Sequence, residues 1–229
     1  MKNTYYFVVQ PIVALDNEQH FDIFCYELLL RDQQTHQFPG QAFFSTIGTK
    51  VGNHTFLDWV QQMLQPVMKT NPHIKFSINF EISQLQFNET FQFLNQLQPL
   101  AQQIFIEITE RQYDEKDVAL ARQFMAYAQQ LGYRVLFDDV DNLLMHDDLY
   151  TLRLADGLKF SQDLIQNNAL PDVLRQLTIC QEKLNQQDKL FIVEGVNSEL
   201  QAQRLYDIGI QLQQGYYFGK PHKIEELLV

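Results

Sequence analysis

IKFSINFEISQLQFNETFQFLNQLQPLAQQIFIEIT, residues 74–109, decides the fold. Two short apolar runs, IKFSINF (74–80) and IFIEIT (104–109), read as strands. Between them NETFQFLNQLQPLAQQ (88–103) has helical spacing. A strand that returns to a second strand through a helix pairs with it in parallel, because two parallel strands need a crossover of this length. The same unit repeats downstream. Helix DEKDVALARQFMAYAQQLG (114–132) leads to strand YRVLFDD (133–139), an irregular polar segment, and strand GLKF (157–160). Helix QDLIQNNALPDVLRQLTICQEKLNQQ (162–187), strand LFIVE (190–194) and helix NSELQAQRLYDIG (197–209) follow. Strand IQLQQGYYFGKP (210–221) and a short terminal helix KIEELLV (223–229) complete the alternation.

Upstream the pattern differs. YYFVVQPIVAL (5–15) and FDIFCYELLL (21–30) are two β-rich runs joined by the polar DNEQH, which reads as a hairpin. The first strand is therefore antiparallel to the second. After a polar loop, FFSTIGTKV (43–51) precedes a helical stretch NHTFLDWVQQMLQPVMKT (53–70), with Asn53 as its N-cap. About eight strands alternating with helices, and no β-only region, favour an α/β fold closed as a modified TIM (β/α)8 barrel with one antiparallel strand.

The bulk composition is compatible with this. The 229 residues fit one domain of barrel size or two small ones, and with no linker or internal repeat the reading is one domain, 1–229. A net charge of −11 argues against duplex nucleic acid and anionic membrane as partners, but not against a small anion, since bound cations invert the local sign. Two cysteines, no signal peptide and no run of ~18 apolar residues point to a reducing cytoplasm.

Polar residues stand one at a time at the ends of the apolar runs: Glu27, Asn79, Glu107, Asp138 with Asp139, Lys159, Glu194 and Gln214. From Glu27 the gaps are 52, 28, 31, 21, 35 and 20 residues, roughly the length of β-α units. A barrel gathers such strand ends at one mouth. Any one of these acids alone reads as a solvated strand-end residue; the set reads as a divalent-cation site, because hard cations prefer carboxylate, amide and water oxygens. Neighbouring carboxylates such as Asp138 and Asp139 can converge only where the backbone turns at the strand end. The six histidines (His20, His36, His54, His73, His146, His222) lie in polar or loop contexts without ligand spacing.

QPIV, YELLLR, FSINFEIS, IEITE, LFDDV, LKF, VEGV and QGYYFGKP occur in that order over the chain. Each is weak alone; together they resemble the EAL domain family over essentially the whole length. The resemblance implies a metal-dependent hydrolase that opens cyclic di-GMP to linear pGpG with two Mg²⁺ or Mn²⁺ ions. It also implies homodimerisation, and it leaves open a catalytically weak receptor for cyclic di-GMP that acts through a regulatory protein partner. Carried over residue by residue, Glu27, Asn79, Glu107 and Asp138 hold one metal and Asp139 the second. Lys159 positions the nucleophilic water as a protonated, orienting cation rather than a base. Glu194 and Gln214 lie near that water. Arg31 contacts phosphate, for which a guanidinium fork is suited. Gln10, Leu29 and Pro221 contact the nucleotide, and Glu110 anchors the loop after the Asp pair. Core packing is the reading for at least one of Tyr216, Tyr217 and Phe218.

Three departures from the family's pattern bear on activity. Its usual DDFGTG is Asp138-Asp139-Val140-Asp141-Asn142-Leu143 here, with further acids at Asp147 and Asp148. The aspartate two residues after the lysine is Ser161, and the second glutamate of EGVE is Asn197. The primary metal set is retained, whereas the surroundings of the second are altered; such outer losses typically cost 10–100-fold in metal affinity or activity.

Overall fold

The computed structural model describes residues 1, 4–17, 20–109, 115–140, 154–184 and 189–228. Strands β1 (Tyr5–Leu15) and β2 (Phe21–Asp32) form the expected antiparallel hairpin. The parallel strands are β3 (Phe76–Phe80), β4 (Ile104–Thr109), β5 (Arg134–Val140), β6 (Gly157–Phe160), β7 (Leu190–Val193) and β8 (Leu212–Gln214). The order β2-β3-β4-β5-β6-β7-β8-β1 is closed by the β1–β2 pairing, so eight strands make a barrel in which only β1 runs against its neighbours. The α/β barrel with one antiparallel strand read from the sequence is the observed fold.

The helices that cover the barrel are α1 (Gln41–Ile47), α2 (Lys50–Thr70), α3 (Ile82–Leu85), α4 (Asn88–Leu97), α5 (Glu115–Gln130), α6 (Gln162–Asn167), α7 (Leu170–Leu184) and α8 (Glu199–Asp207). Several bounds differ from the sequence reading for identifiable reasons. α2 starts one turn before Asn53, because the Thr49 side chain accepts from the Gly52 N–H and caps it. Asn53 is buried inside the helix instead. α4 tightens into a 3-10 turn at Gln98–Gln103, where Pro99 cannot donate to a continuing ladder. The long helix read over 162–187 is two, broken at Asn168 and Ala169. The run read as one strand over 210–221 pairs only to Gln214; Gly215 and Gly219 close a turn, Gly219 N–H donating to the Gly215 carbonyl at 3.2 Å. A two-residue strand β9 (His222–Lys223) then lies beside β1, followed by a 3-10 turn at Ile224–Leu228 in place of the expected terminal helix.

Two apolar layers hold these parts together. The larger fills the space between barrel and helices, with Phe76, Phe80, Leu94, Phe124 and Val173 among its buried members. The smaller comprises Ile12, Cys25, Phe105, Leu136 and Ile192. Strand side chains alternate, so residue i and residue i+2 share a face. Cys25, Ser77, Phe105, Leu136, Gly157, Ile192 and Leu212 are each followed two residues later by Glu27, Asn79, Glu107, Asp138, Lys159, Glu194 and Gln214. The barrel interior is therefore packed by a mostly apolar layer, and the polar set forms the layer directly above it, at the carboxyl ends of the strands.

Candidate active site

Seven strands each contribute one polar residue to this upper layer. Lys159 stands at its centre, fully buried. Its Nζ lies 2.7 Å from Glu194 Oε1, 2.9 Å from Asp138 Oδ1, 3.0 Å from Glu107 Oε2 and 3.6 Å from Glu27 Oε2. Asn79 Nδ2 donates to Glu27 Oε1 at 3.0 Å, and Gln214 Nε2 donates to Glu27 Oε2 at 2.7 Å. The sequence reading expected these residues to meet, and the strand alternation brings them together across the barrel.

One ammonium faces four carboxylates, and the titration of the group follows. Burial pulls the Lys159 ammonium down, but Asp138, Glu107, Glu194 and Glu27 outweigh it and hold it well above the usual lysine range. It stays a cation, as the sequence reading required. Burial pushes Glu107 well up, and the Glu27 and Asp138 charges add to that against the pull of Lys159. Burial likewise raises Asp138, and pushes Glu194, which keeps 17% side-chain exposure, up to about 8. Glu27 alone is lowered: burial acts against it, but Lys159 and the amide donors of Gln214 and Asn79 prevail. The cluster thus carries more negative charge than its lysine neutralises, and protons take up the excess.

Asp139 reaches the same mouth by a backbone irregularity. β5 and β6 pair at Phe137 with Leu158 and again at Val140 with Phe160, which leaves one extra residue on β5. Asp139 has φ +59°, left-handed backbone that Asp adopts more readily than most residues. A bulge of this kind re-aims a side chain at a strand end, and it resolves how two neighbouring acids converge.

Oxygen atoms of Glu27, Glu107 and Asp138 lie within 4.8 Å of one another, and so do those of Asp138, Asp139 and Glu194. Asp138 belongs to both groups. Glu107 Oε1 and Gln214 Oε1 are among the buried oxygens that have no hydrogen-bond partner. Buried acceptors left unsatisfied are costly, and a hard cation satisfies them; the donor set fits divalent ions of the Mg²⁺ or Mn²⁺ type. Both groups are made of carboxylates only, with no histidine among the described residues that form them.

Above the cluster opens a cavity of about 670 Å³, large enough for a small-molecule ligand. Gln10, Leu29, Arg31 and Pro221 all line it, as do Glu27, Asn79, Asp138, Asp139, Glu194 and Gln214. Arg31 Nη1 donates to the Leu30 carbonyl at 2.9 Å, and Gln10 Nε2 donates to the Gly219 carbonyl at 3.3 Å. Glu107 and Lys159 sit beneath the floor. Tyr216 lines the cavity, with Lys220 Nζ 5.6 Å from its ring centroid, whereas Phe218 packs against the core and against Phe21. Ser161 is buried at the N-cap of α6, and Asn197 lines the cavity. Glu110 and the residues of the altered loop, Asp141 to Leu143 with Asp147 and Asp148, lie outside the described residues.

Some of the wall was not foreseen. Phe38, Phe43 and Phe44 form an aromatic side, with Phe38 and Phe44 centroids 5.3 Å apart. Glu81, on the β3–α3 turn after Asn79, and Gln84, in the first turn of α3, also line the cavity. The spacing Glu81-x-x-Gln84 after a strand, a capping-box arrangement, was the available signal.

Residues 2–221 match the family profile described as the EAL domain. Among curated proteins the chain is 25% identical, over 236 residues, to the cyclic di-GMP phosphodiesterase PdeF of Escherichia coli K12; the match covers 99% of the chain and 31% of that protein. The chain therefore spans about a third of the length of that relative. Among solved structures, the EAL enzyme Bd1971 in its cAMP- and cyclic-di-GMP-bound form has a TM-score of 0.77 at 23% identity, covering 99% of the chain and 64% of that structure. The EAL-domain protein YkuI of Bacillus subtilis, in complex with cyclic di-GMP and calcium, has a TM-score of 0.76 at 19% identity, covering 96% and 56%.

Proposed function

Because the chain belongs to the EAL domain family, we propose that it is a metal-dependent phosphodiesterase that hydrolyses cyclic di-GMP to linear pGpG. The observation that carries this reading is the pair of carboxylate groups sharing Asp138 at the floor of a cavity that Arg31 lines. Glu27, Asn79, Glu107 and Asp138 would hold one ion, and Asp138, Asp139 and Glu194 a second. Cations there, Mg²⁺ or Mn²⁺, supply charge neutralisation at phosphate and an acidified water.

The chain's own residues do the rest. Arg31 presents a guanidinium to a phosphate at the mouth. Lys159 cannot accept a proton while four carboxylates surround it, so it orients groups and offsets charge as phosphate arrives. Glu194 is the most exposed of the carboxylates around Lys159, which suits it to orient an attacking water at the edge of the cluster. Gln214, fixed by its bond to Glu27, keeps a buried carbonyl oxygen with no hydrogen-bond partner beside the cluster. Gln10, Leu29 and Pro221 bound the nucleotide. We place this activity in the cytoplasm.

A second reading is favoured by Ser161 and Asn197, which stand where the family carries acids: a receptor that binds cyclic di-GMP and acts through a protein partner. Product analysis separates the two. Purified protein with cyclic di-GMP and Mg²⁺ or Mn²⁺ should yield pGpG, and the Asp138→Ala variant should not. Bound nucleotide without product overturns the hydrolase and leaves the receptor; neither product nor binding overturns both.

A further inference from the structure

Beside the site lies a buried polar network that reaches the cavity wall at Glu81 and Gln84 and that the metal set does not include. Asn53 on α2, Gln84 on α3 and Thr90 on α4 are each at most 1% exposed. Thr90 Oγ1 donates to the Gln84 carbonyl at 2.7 Å, so the same oxygen accepts from Asn53 Nδ2 at 2.8 Å. This turns Asn53 Oδ1 toward Gln84 Nε2, which donates to it at 2.8 Å. Gln84 Oε1 is thereby left to accept from the Glu81 N–H at 3.0 Å, while the Glu81 carboxylate accepts from the Gln84 N–H. Each amide has one orientation that satisfies every bond; a flip of either puts donor on donor and acceptor on acceptor.

The chain of bonds ends where the barrel ladder stops. β3 pairs with β2 only as far as Ile78 with Leu28, although it pairs with β4 through Phe80. Asn79, the partner of Glu27 in the metal set, thus stands directly beyond the last β2 pairing, and the turn that follows it has no strand of β2 beside it. Two things bridge that seam: the Asn79–Glu27 side-chain bond, and the anchoring of the next turn through Glu81.

We propose that Gln84 is a positioning residue for the metal site, transmitting the α2–α4 packing through the Glu81 N–H to the turn that presents Asn79. Gln84 borders the cavity, but its amide is taken up by Asn53 and the Glu81 N–H, and the inference rests on the metal-site reading above. Its loss should loosen metal binding out of proportion to its effect on stability.

The test is Mn²⁺ affinity by calorimetry, with melting temperature recorded in EDTA. Gln84→Met keeps shape and removes both ends of the amide; Mn²⁺ affinity should fall about 10-fold, within the range for groups that support ligands. Thr90→Val cuts the network from α4 with little change in volume and should weaken Mn²⁺ several-fold, which keeps the test open if Gln84→Met does not fold. Leu205→Ala, a buried residue on the distant α8, is the control for equal loss of melting temperature and should bind Mn²⁺ like the wild type. Unchanged Mn²⁺ affinity in the network variants, or an equal loss in the control, overturns the proposal. A wild type that binds no Mn²⁺ overturns the metal-site reading as well, and that failure is visible before any variant is compared.

Discussion

At the scale of single residues Lys159 governs the cluster. Removing one partner of a buried ion pair exposes the uncompensated charge of the others, a cost of about 3–5 kcal/mol. Lys159→Met should therefore lower stability by roughly 3 kcal/mol at pH 8 in EDTA, measured by urea unfolding, and by much less near pH 5, where protons take the place of the ammonium. The pH dependence of the wild type follows the same groups. Glu194 is raised from 4.5 to about 8, and Glu107 and Asp138 are raised too. A carboxyl whose folded value is raised contributes stability that is present below its unfolded value and is lost as pH climbs through the folded one. Glu27 and Lys159 shift so that both keep their charges throughout this window. The metal-free melting temperature should accordingly fall between about pH 4.5 and 8, and the increment given by saturating Mg²⁺ should grow over the same range. A flat increment would show that cations do not replace protons here. The acids themselves were legible in the sequence, since each closes an apolar run. Gln84 and Asn53 were not: a buried amide on a helix has no signature until its partners are known.

At the scale of elements, the bulge in β5 decides whether Asp139 belongs to the site. Asn tolerates left-handed backbone nearly as well as Asp, whereas a β-branched residue does not. Asp139→Asn should keep the melting temperature and weaken the second cation; Asp139→Val should do both harms, with an added cost of about 1–2 kcal/mol from the positive φ. Melting curves with Mn²⁺ titration separate these. Equal stability of the two variants would mean that the bulge relaxes without penalty. β7 and β8 are held together at their ends in a different way. The Val196 N–H donates to the Gln214 carbonyl at 3.0 Å, and the Tyr217 N–H donates to the Val196 carbonyl at 3.1 Å. A Cβ on Gly215 would stand 2.0 Å from the Val196 carbonyl oxygen, so Gly215→Ala should separate the strand ends that carry Glu194 and Gln214 and abolish turnover before it unfolds the barrel. These details explain what the sequence left obscure. Alternation revealed each strand, but QGYYFGKP looks like more strand because aromatic residues favour pleated surfaces, while two glycines in fact turn the chain. The Asn53 cap misled for a similar reason: Asn suits a helix start, yet Thr49 stands one turn earlier and takes that role.

At the scale of the whole molecule the proposed function raises the question of how an acidic protein would admit an acidic ligand. The chain carries a net charge of −11, and its cluster concentrates four carboxylates around one lysine at the floor of the cavity. A cyclic dinucleotide brings two phosphates into that field. Arg31 supplies one positive group at the mouth, and the Lys159 charge is already spent on its neighbours. Without cations the encounter is repulsive, and with them the sign at the floor inverts. Cyclic di-GMP affinity should therefore drop at least 10-fold in EDTA and recover with Mg²⁺ or Mn²⁺, while Arg31→Ala weakens binding with the cations present. Calorimetric titration of nucleotide with and without metal measures both effects. This expectation holds for the hydrolase and for the receptor alike, because it concerns binding and not turnover. Nucleotide that binds equally well in EDTA would locate recognition in the aromatic and amide walls, at Phe38, Phe44, Gln162 and Asn197, and would assign the acidic floor to catalysis alone.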